Sequence, residues 1–275
     1  MYFSDEAVVL SLGRFRESDL WLRLLSPTRG IFTVFAFGGS KSRKRFCGCL
    51  DILNKLSISV SQSKKGEYLC LDEAVLRSGP LNLRSDFKRL GIVMNTLKFL
   101  EAFGVSSDSA LNSFTLFNEL LLLSEDEKQM PELFPLLFRL RLAFDHGYSI
   151  NLESCGNCQS LLKKQAKTQR ECDVEYMSNL AYDLTYKQES CYLLASEGQV
   201  FCEACASKIP VSGGTLSRLS TQSLHFLHLI KTLPLSDWHY FQFDSLTRRE
   251  LSRSIDAFIE YHVGLRWHNG RFIRC

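Results

Sequence analysis

A chain of 275 residues that is 45% hydrophobic is long enough for two domains, or one large one, around a real core. Its formal net charge of only +3 leaves any affinity for polyanions to local clusters. No apolar run approaches the roughly 18 residues that a membrane helix needs, and the start, Met1-Tyr2-Phe3-Ser4-Asp5-Glu6, lacks the basic region of a secretory signal. The expectation is a cytoplasmic protein without a membrane partner.

The first 80 residues read as short strands. Ala7–Leu12 is apolar and β-branched, and Leu20–Leu25 sets Leu20, Leu22 and Leu24 on one face against Trp21 and Arg23 on the other. The turn Ser26-Pro27-Thr28-Arg29-Gly30 leads into Ile31–Phe37, and Gly38-Gly39 opens a basic loop. A long fourth strand is expected over Leu50–Val60. A hairpin turn at Lys64-Lys65-Gly66-Glu67 then leads to a fifth strand, Tyr68–Val75. Five short strands with turn signals between them suggest a small closed barrel, OB-fold or SH3-like, which periodicity does not separate.

After Gly79-Pro80 the period changes to 3.6. Leu90, Val93, Met94, Leu97 and Leu100 mark one helical face, Ala110–Leu123 a second helix, and Leu133 to Phe144 a third. Pro131 should open that third helix, Pro135 distort its first turn and Gly147 stop it. Ser220–Ile230 is helical. Thr247-Arg248-Arg249-Glu250 looks like a capping box for a last helix ending at Gly264. The fold class is therefore α+β, with a barrel domain at 1–80 and a helical domain at 81–275.

An insertion at about 151–210 interrupts the helices. It holds Cys155-Gly156-Asn157-Cys158 and Cys202-Glu203-Ala204-Cys205, two Cys-x-x-Cys pairs with 43 residues between them. Four thiolates in two knuckles are the donor set of a closed, structural tetrahedral zinc site. A positive φ at Gly156 would suit the first knuckle. Redox dithiols and chance spacing are the competing readings, and Cys172 or Cys191 could replace one ligand. Lys163–Arg170 reads as an exposed basic loop, and most of the remaining cysteines as small buried residues.

Charge is unevenly placed. Residues 1–80 hold twelve Lys/Arg against eight Asp/Glu, and Lys41-Ser42-Arg43-Lys44-Arg45 packs four cations into five positions. Cations displace the counterions of nucleic acid, and exposed rings stack bases. The candidate nucleic-acid-binding residues are Arg14, Arg16, Arg23, Arg29, Lys41, Arg43, Lys44 and Arg45. Phe15, Trp21, Phe35 and Phe37 are possible stacking platforms, though core packing competes for each, and Glu17 and Asp19 could pair with Arg14 and Arg16. Arginines after residue 245 form a second basic region, equally readable as a solvated helix face. His225 and His228, three apart, read as ordinary helix positions rather than ligands. No P-loop, G-x-G-x-x-G, H-E-x-x-H or deaminase motif is present, so no catalytic residue is assigned.

Glu6 to Leu10, Glu17-Ser18-Asp19, Thr28-Arg29-Gly30, Gly38 to Arg43 with Phe46 and Leu50, Gly198 to Cys205, and Glu260 to Gly264 with the basic tail follow one another in an order that resembles the RecO family of bacterial recombination mediators. The resemblance implies an N-terminal five-stranded OB-fold, a C-terminal helical domain with an inserted four-cysteine zinc ribbon, and one structural Zn2+ per chain. It implies binding of single- and double-stranded DNA through the basic barrel loop, and annealing of complementary strands without ATP. It also implies recombinase loading with RecR and with the acidic C-terminal tail of single-stranded DNA-binding protein, in the bacterial cytoplasm at the nucleoid. The wide gap between knuckles departs from the family pattern, so residues 163–190 look inserted. An RNA-binding or ribosome-associated OB and zinc-ribbon module is the alternative, followed by an enzyme without a visible motif and an assembly scaffold.

Overall fold

The computed structural model describes residues 2–126, 130–162, 190–210 and 216–275. The expected Lys163–Arg170 loop, Cys172 and the inserted stretch to residue 189 lie outside them. The chain forms two compact units, Met1–Gln129 and Met130–Cys275.

In the first unit, β1 (Tyr2–Arg14), β2 (Leu20–Ser26), β3 (Gly30–Ala36), β4 (Lys55–Gln62) and β5 (Leu69–Ser78) close a barrel in the order β1-β2-β3-β5-β4. β1 closes it by pairing with β4 over Tyr2↔Ser61 to Val8↔Lys55. The β3–β5 pair is parallel, through Val34↔Leu69 and Phe35↔Cys70. A simple meander has no parallel pair, so this order decides for an OB-like barrel over an SH3-like one. Strict alternation builds the wall: Leu20, Leu22 and Leu24 are buried, while Trp21 and Arg23 are half-buried. β1 serves two neighbours because its register shifts between Val9 and Ser11, where it leaves β4 for β2.

The expected strand at Leu50–Val60 begins only at Lys55. Before it, Phe46 and Cys49 pack into the barrel core, and Leu53 is buried at a left-handed φ of 68°. Reciprocal bonds hold it there: Leu53 N donates to Val9 O (2.8 Å), and Val9 N donates to Asn54 O (3.0 Å). Apolar residues here mark burial without extension.

α1 (Leu81–Ser85), α2 (Phe87–Phe103) and α3 (Ala110–Glu125) complete the unit, with α3 against β2 and β3. Asp86 caps α2, accepting from Lys88 N and Arg89 N at 3.0 Å each. Gly30, at φ 69°, brings the β2–β3 turn so close to the next loop that an added Cβ would lie 2.2 Å from Val105 O.

The second unit contains α4 (Phe134–Asp145), β6 (Ser190–Leu194), β7 (Gln199–Cys202), the one-turn α5 (Glu203–Ala206), β8 (Leu216–Ser220), α6 (Thr221–Thr232), α7 (Ser245–Val263), β9 (Leu265–His268) and β10 (Arg271–Arg274). Its core gathers Phe134, Phe138, Trp238 and Phe258. Three expectations need correction. Pro131 does not open α4, which is preceded by Leu133 as N-cap and starts at Phe134, so Pro135 stands in the first turn, where its missing N–H costs nothing and distorts nothing. α7 is capped by Asp244, which accepts from Thr247 N at 2.7 Å, and not by Thr247. Glu250 turns instead to the start of α6, accepting from Ser220 N (2.7 Å) and Ser223 Oγ (2.6 Å). Gly264, at φ 68°, ends α7 as expected.

Candidate nucleic-acid interface and metal centre

The basic loop is held at both ends. Lys41 N and Ser42 N donate to Gly38 O at 3.1 and 3.0 Å, while Phe46 is fully buried in the barrel core. Between these anchors Lys41, Arg43, Lys44 and Arg45 are exposed. The Arg45 guanidinium donates to Phe37 O and lies 4.9 Å from the Phe46 ring, so part of its capacity is used. The β1–β2 loop is clasped to this one: Gly38 N donates to Asp19 Oδ1 (2.7 Å) and Ser40 N to Ser18 O (3.0 Å). Arg14 and Arg16 thereby join the same end of the barrel. Asp19 is taken up by this clasp, and among the described residues neither arginine forms an ion pair with it or with Glu17.

Aromatic rings cover the adjoining outer wall. Phe15 meets Phe35 at 5.2 Å, Phe35 meets Tyr68 at 5.5 Å, and Phe37 lies 6.1 Å from both Phe15 and Tyr68. Trp21 stands opposite Phe35 on β2, and its indole covers Gly13, where a Cβ would come within 2.7 Å. Phe15 and Tyr68 are each 40% exposed, and Arg16 sits 5.4 Å over the Phe15 ring. Edge-to-face packing fixes these rings without closing their faces to a stacking base. The outer face of strands 2 and 3, with the loops between strands 1–2 and 4–5, is where OB barrels hold oligonucleotides. Tyr68, with the exposed Lys64 and Lys65 of the β4–β5 turn, was not among the expected residues. Its place follows from the parallel β3–β5 pair, a long-range contact with no local signal.

Two expected residues stand apart. Arg23 is half-buried, its Nη2 3.4 Å from Glu101 O beside α2. Arg29 occupies the β2–β3 turn, 3.8 Å over the Phe3 ring. That turn lies a full β2 length from the aromatic end, roughly 20 Å for seven residues.

In the second unit, four sulfurs converge: those of Cys155, Cys158, Cys202 and Cys205 all lie within 4.8 Å of one another. Cys158 and Cys202, 44 positions apart, approach to 3.9 Å. A tetrahedron of thiolates about zinc has S···S edges of about 3.8 Å, so the donor set and its spacing fit that ion. The first knuckle is folded by Cys155 N donating to Ser160 O (2.9 Å) and Gly156 N donating to Val200 O (2.9 Å). The left-handed residue is Gln159, at φ 58°, and not Gly156. Gly156 is required for space instead, since a Cβ there would lie 3.0 Å from the Phe201 ring. The second knuckle runs from the end of β7 into α5. β7 is held in the sheet β7-β6-β8.

Hydrogen bonds, first that of the Ser160 hydroxyl, bring the Cys158 thiol down to about 6, whereas burial pushes Cys202 up to about 12. Such a cluster ionises fully only beside a compensating cation. A Cys-x-x-Cys that ends a strand and opens a helix, as Cys202–Cys205 does, is also redox geometry. The presence of the other pair in the same cluster favours metal. Cys191 is buried opposite Cys202 on β6, and burial pushes it up to about 11. It is outside the four-sulfur group. His225 and His228 belong to no metal-ligand cluster among the described residues.

An OB-like barrel with a basic, aromatic end, joined in sequence to a helical unit bearing a four-cysteine cluster, defines the class. Residues 1–78 match the family model for the recombination protein O N terminal, and residues 84–271 match that for its C terminal. The chain belongs to the RecO family. It is 41% identical over 274 residues to DNA repair protein RecO of Oleidesulfovibrio alaskensis, covering 100% of both chains. It is 40% identical to the protein of the same name from Nitratidesulfovibrio vulgaris and 35% to that of Lawsonia intracellularis, each over 100% of both chains. No helix among the described residues is long and apolar enough to cross a membrane.

Proposed function

We propose that this chain is a DNA repair and recombination mediator that gathers single- and double-stranded DNA and anneals complementary strands without ATP. The observation that carries the reading is the meeting of three loops at one barrel end, where Lys41, Arg43, Lys44, Arg14 and Arg16 border the rings of Phe15, Phe35, Phe37 and Tyr68. In this reading the barrel of residues 1–80 binds DNA, α1 to α3 complete its unit, and the ribbon of the second unit is held by one structural zinc ion on Cys155, Cys158, Cys202 and Cys205. A closed tetrahedral site leaves no open coordination position, so the ion stabilises the fold and takes no part in a reaction.

Annealing needs no catalytic side chain. Two strands repel through their phosphates, and neutralising cations lower that repulsion and raise local strand concentration. Ring stacking presents bases outward while pairing supplies the driving force. RecR and the acidic tail of single-stranded DNA-binding protein are the protein partners that family membership supports, acting with this chain to load recombinase on coated strands in the cytoplasm, at the nucleoid. The test is the rate of pairing of complementary oligonucleotides by the metal-replete protein without nucleotide. The expected result is acceleration that the Lys41, Arg43, Lys44, Arg45→Ala variant largely loses. Preference for RNA over matched DNA would instead favour the ribosome-associated reading.

A further inference from the structure

β9 and β10 form a two-stranded ribbon of their own in the second unit. β9 and β10 pair through Arg271↔His268, Phe272↔Trp267, Ile273↔Arg266 and Arg274↔Leu265. Asn269 (φ 47°) and Gly270 (φ 79°) supply the two left-handed residues of a type I′ turn, which matches the twist of its strands. The base of the ribbon is fixed: Leu265 is buried, and Cys275 N donates to Gly264 O at 3.0 Å. Arg139, ion-paired to Asp256 at 3.3 Å, lies 4.7 Å over the Phe272 ring and supports the ribbon from α4.

Two properties of this ribbon point to one kind of ligand. Arg266, His268, Arg271 and Arg274 are exposed on it, and no acidic residue follows Glu260 in the sequence. Arg266 shares Glu260 at 3.5 Å, and among the described residues no ion pair engages Arg271 or Arg274. Trp267 is 40% exposed and packs edge-on to Phe272 at 4.8 Å, which fixes the indole while leaving surface for a flat partner. A membrane-seeking or protein-docking ribbon would be expected to expose a wider apolar face. The register sets Arg274 on the face of Trp267 and Arg266, His268 and Arg271 on the other, so a half-exposed indole with a cation beside it and more along the ribbon matches a phosphate chain with a stackable base.

We propose that the β9–β10 ribbon is a second single-strand DNA site, with Trp267 stacked on a base and Arg274, on the same face, on a neighbouring phosphate. It rests on the reading of the chain as a strand annealer and extends it: one strand is held by the barrel, its complement by the ribbon. A protein with two such sites brings complements together on one molecule. A protein with one must rely on collision between two loaded molecules.

The test uses the full-length, metal-replete protein, irradiated in complex with an oligo(dT) strand carrying 5-iodouracil, followed by mapping of cross-linked peptides. Cross-links are expected both in the barrel loops and at Trp267 or Phe272. In parallel, Trp267→Ala with Arg274→Ala should lower the annealing rate at least about tenfold, the scale of one lost stack plus one phosphate contact, while cross-linking to the barrel loops is unchanged. Cross-links confined to residues 1–80, with annealing unaffected by the ribbon variant, would overturn the proposal and leave the barrel reading standing. Ribbon cross-links obtained with duplex but not with single strands would overturn the assigned ligand. Failure of the whole protein to bind any strand would overturn both readings.

Discussion

Replacing Lys41, Arg43, Lys44 and Arg45 with Ala should change the salt dependence of single-strand binding by a calculable amount. Three of the four side chains reach solvent without a protein partner recorded among the described residues, whereas Arg45 already donates to Phe37 O and covers Phe46. Counting three phosphate contacts at about 0.7 each, the slope of log K against log salt should flatten by about 2. Over a fourfold rise in salt, wild-type affinity should then fall about 20-fold more than that of the variant. The loop should keep its shape, because Phe46 and the Gly38 turn hold it through contacts the substitutions leave in place. Fluorescence anisotropy with a labelled oligonucleotide at four or five salt concentrations measures the slope, and thermal unfolding checks the fold. An unchanged slope in a folded variant would refute the assignment of these cations to phosphate.

Phe15→Ala and Tyr68→Ala should each weaken single-strand binding by about 5- to 100-fold at every salt concentration, since a stack worth about 1–3 kcal/mol releases no counterions. A changed slope would show that the rings act through the neighbouring charges. Metal analysis should find about one zinc per chain, lost in Cys202→Ser. Zinc affinity should fall as pH drops from 8 to 6, because protons compete for the thiolates, most effectively at Cys202, which burial pushes up to about 12. Pulling zinc with a graded chelator series at each pH measures this, and pH-independent affinity would argue against an all-thiolate site. Gly30→Ala should destabilise the first unit by about 2–4 kcal/mol in chemical denaturation, since it combines a positive φ with a Cβ 2.2 Å from Val105 O. Backbone bonds at the helix caps, from Arg89 N to Asp86 and from Thr247 N to Asp244, hold both carboxyls below their usual range. Their contribution to stability is therefore present above the ordinary carboxylate pKa and is lost as pH falls through the lowered values. Replacing both with Asn should reduce the acid sensitivity of unfolding, and an unaltered acid limb would assign it to other groups.

Much of this was legible because period and turn chemistry are local. Leu20, Leu22 and Leu24 announced β2, Gly264 ended α7 where expected, and the cysteine spacing anticipated the four-sulfur cluster. What escaped was decided at long range. Leu50 to Leu53 looked like strand because burial and extension share an apolar signature, and only the bonds with Val9 show a loop held against β1. Glu250 looked like half of a capping box because Thr247 stands three positions before it. Its partners, Ser220 and Ser223, are 30 and 27 positions away. Tyr68 was missed, and Arg23 and Arg29 were grouped with the loop cations, because barrel closure and register decide which end of a strand a residue serves. Asn269-Gly270 is a local hairpin signal, and the structure shows it as the turn between β9 and β10.

If single strands lie across one barrel end, over the rings and between the cationic loops, they should protect backbone amides there and nowhere else on the barrel. Hydrogen–deuterium exchange with and without an oligo(dT) strand at low ionic strength reads this out. Slowed exchange is expected in three separated stretches, residues 13–21, 35–45 and 63–70, with the β2–β3 turn at 27–29 unaffected. Exchange left unaltered in all three, or slowed at the β2–β3 turn instead, would contradict that placement of the strand.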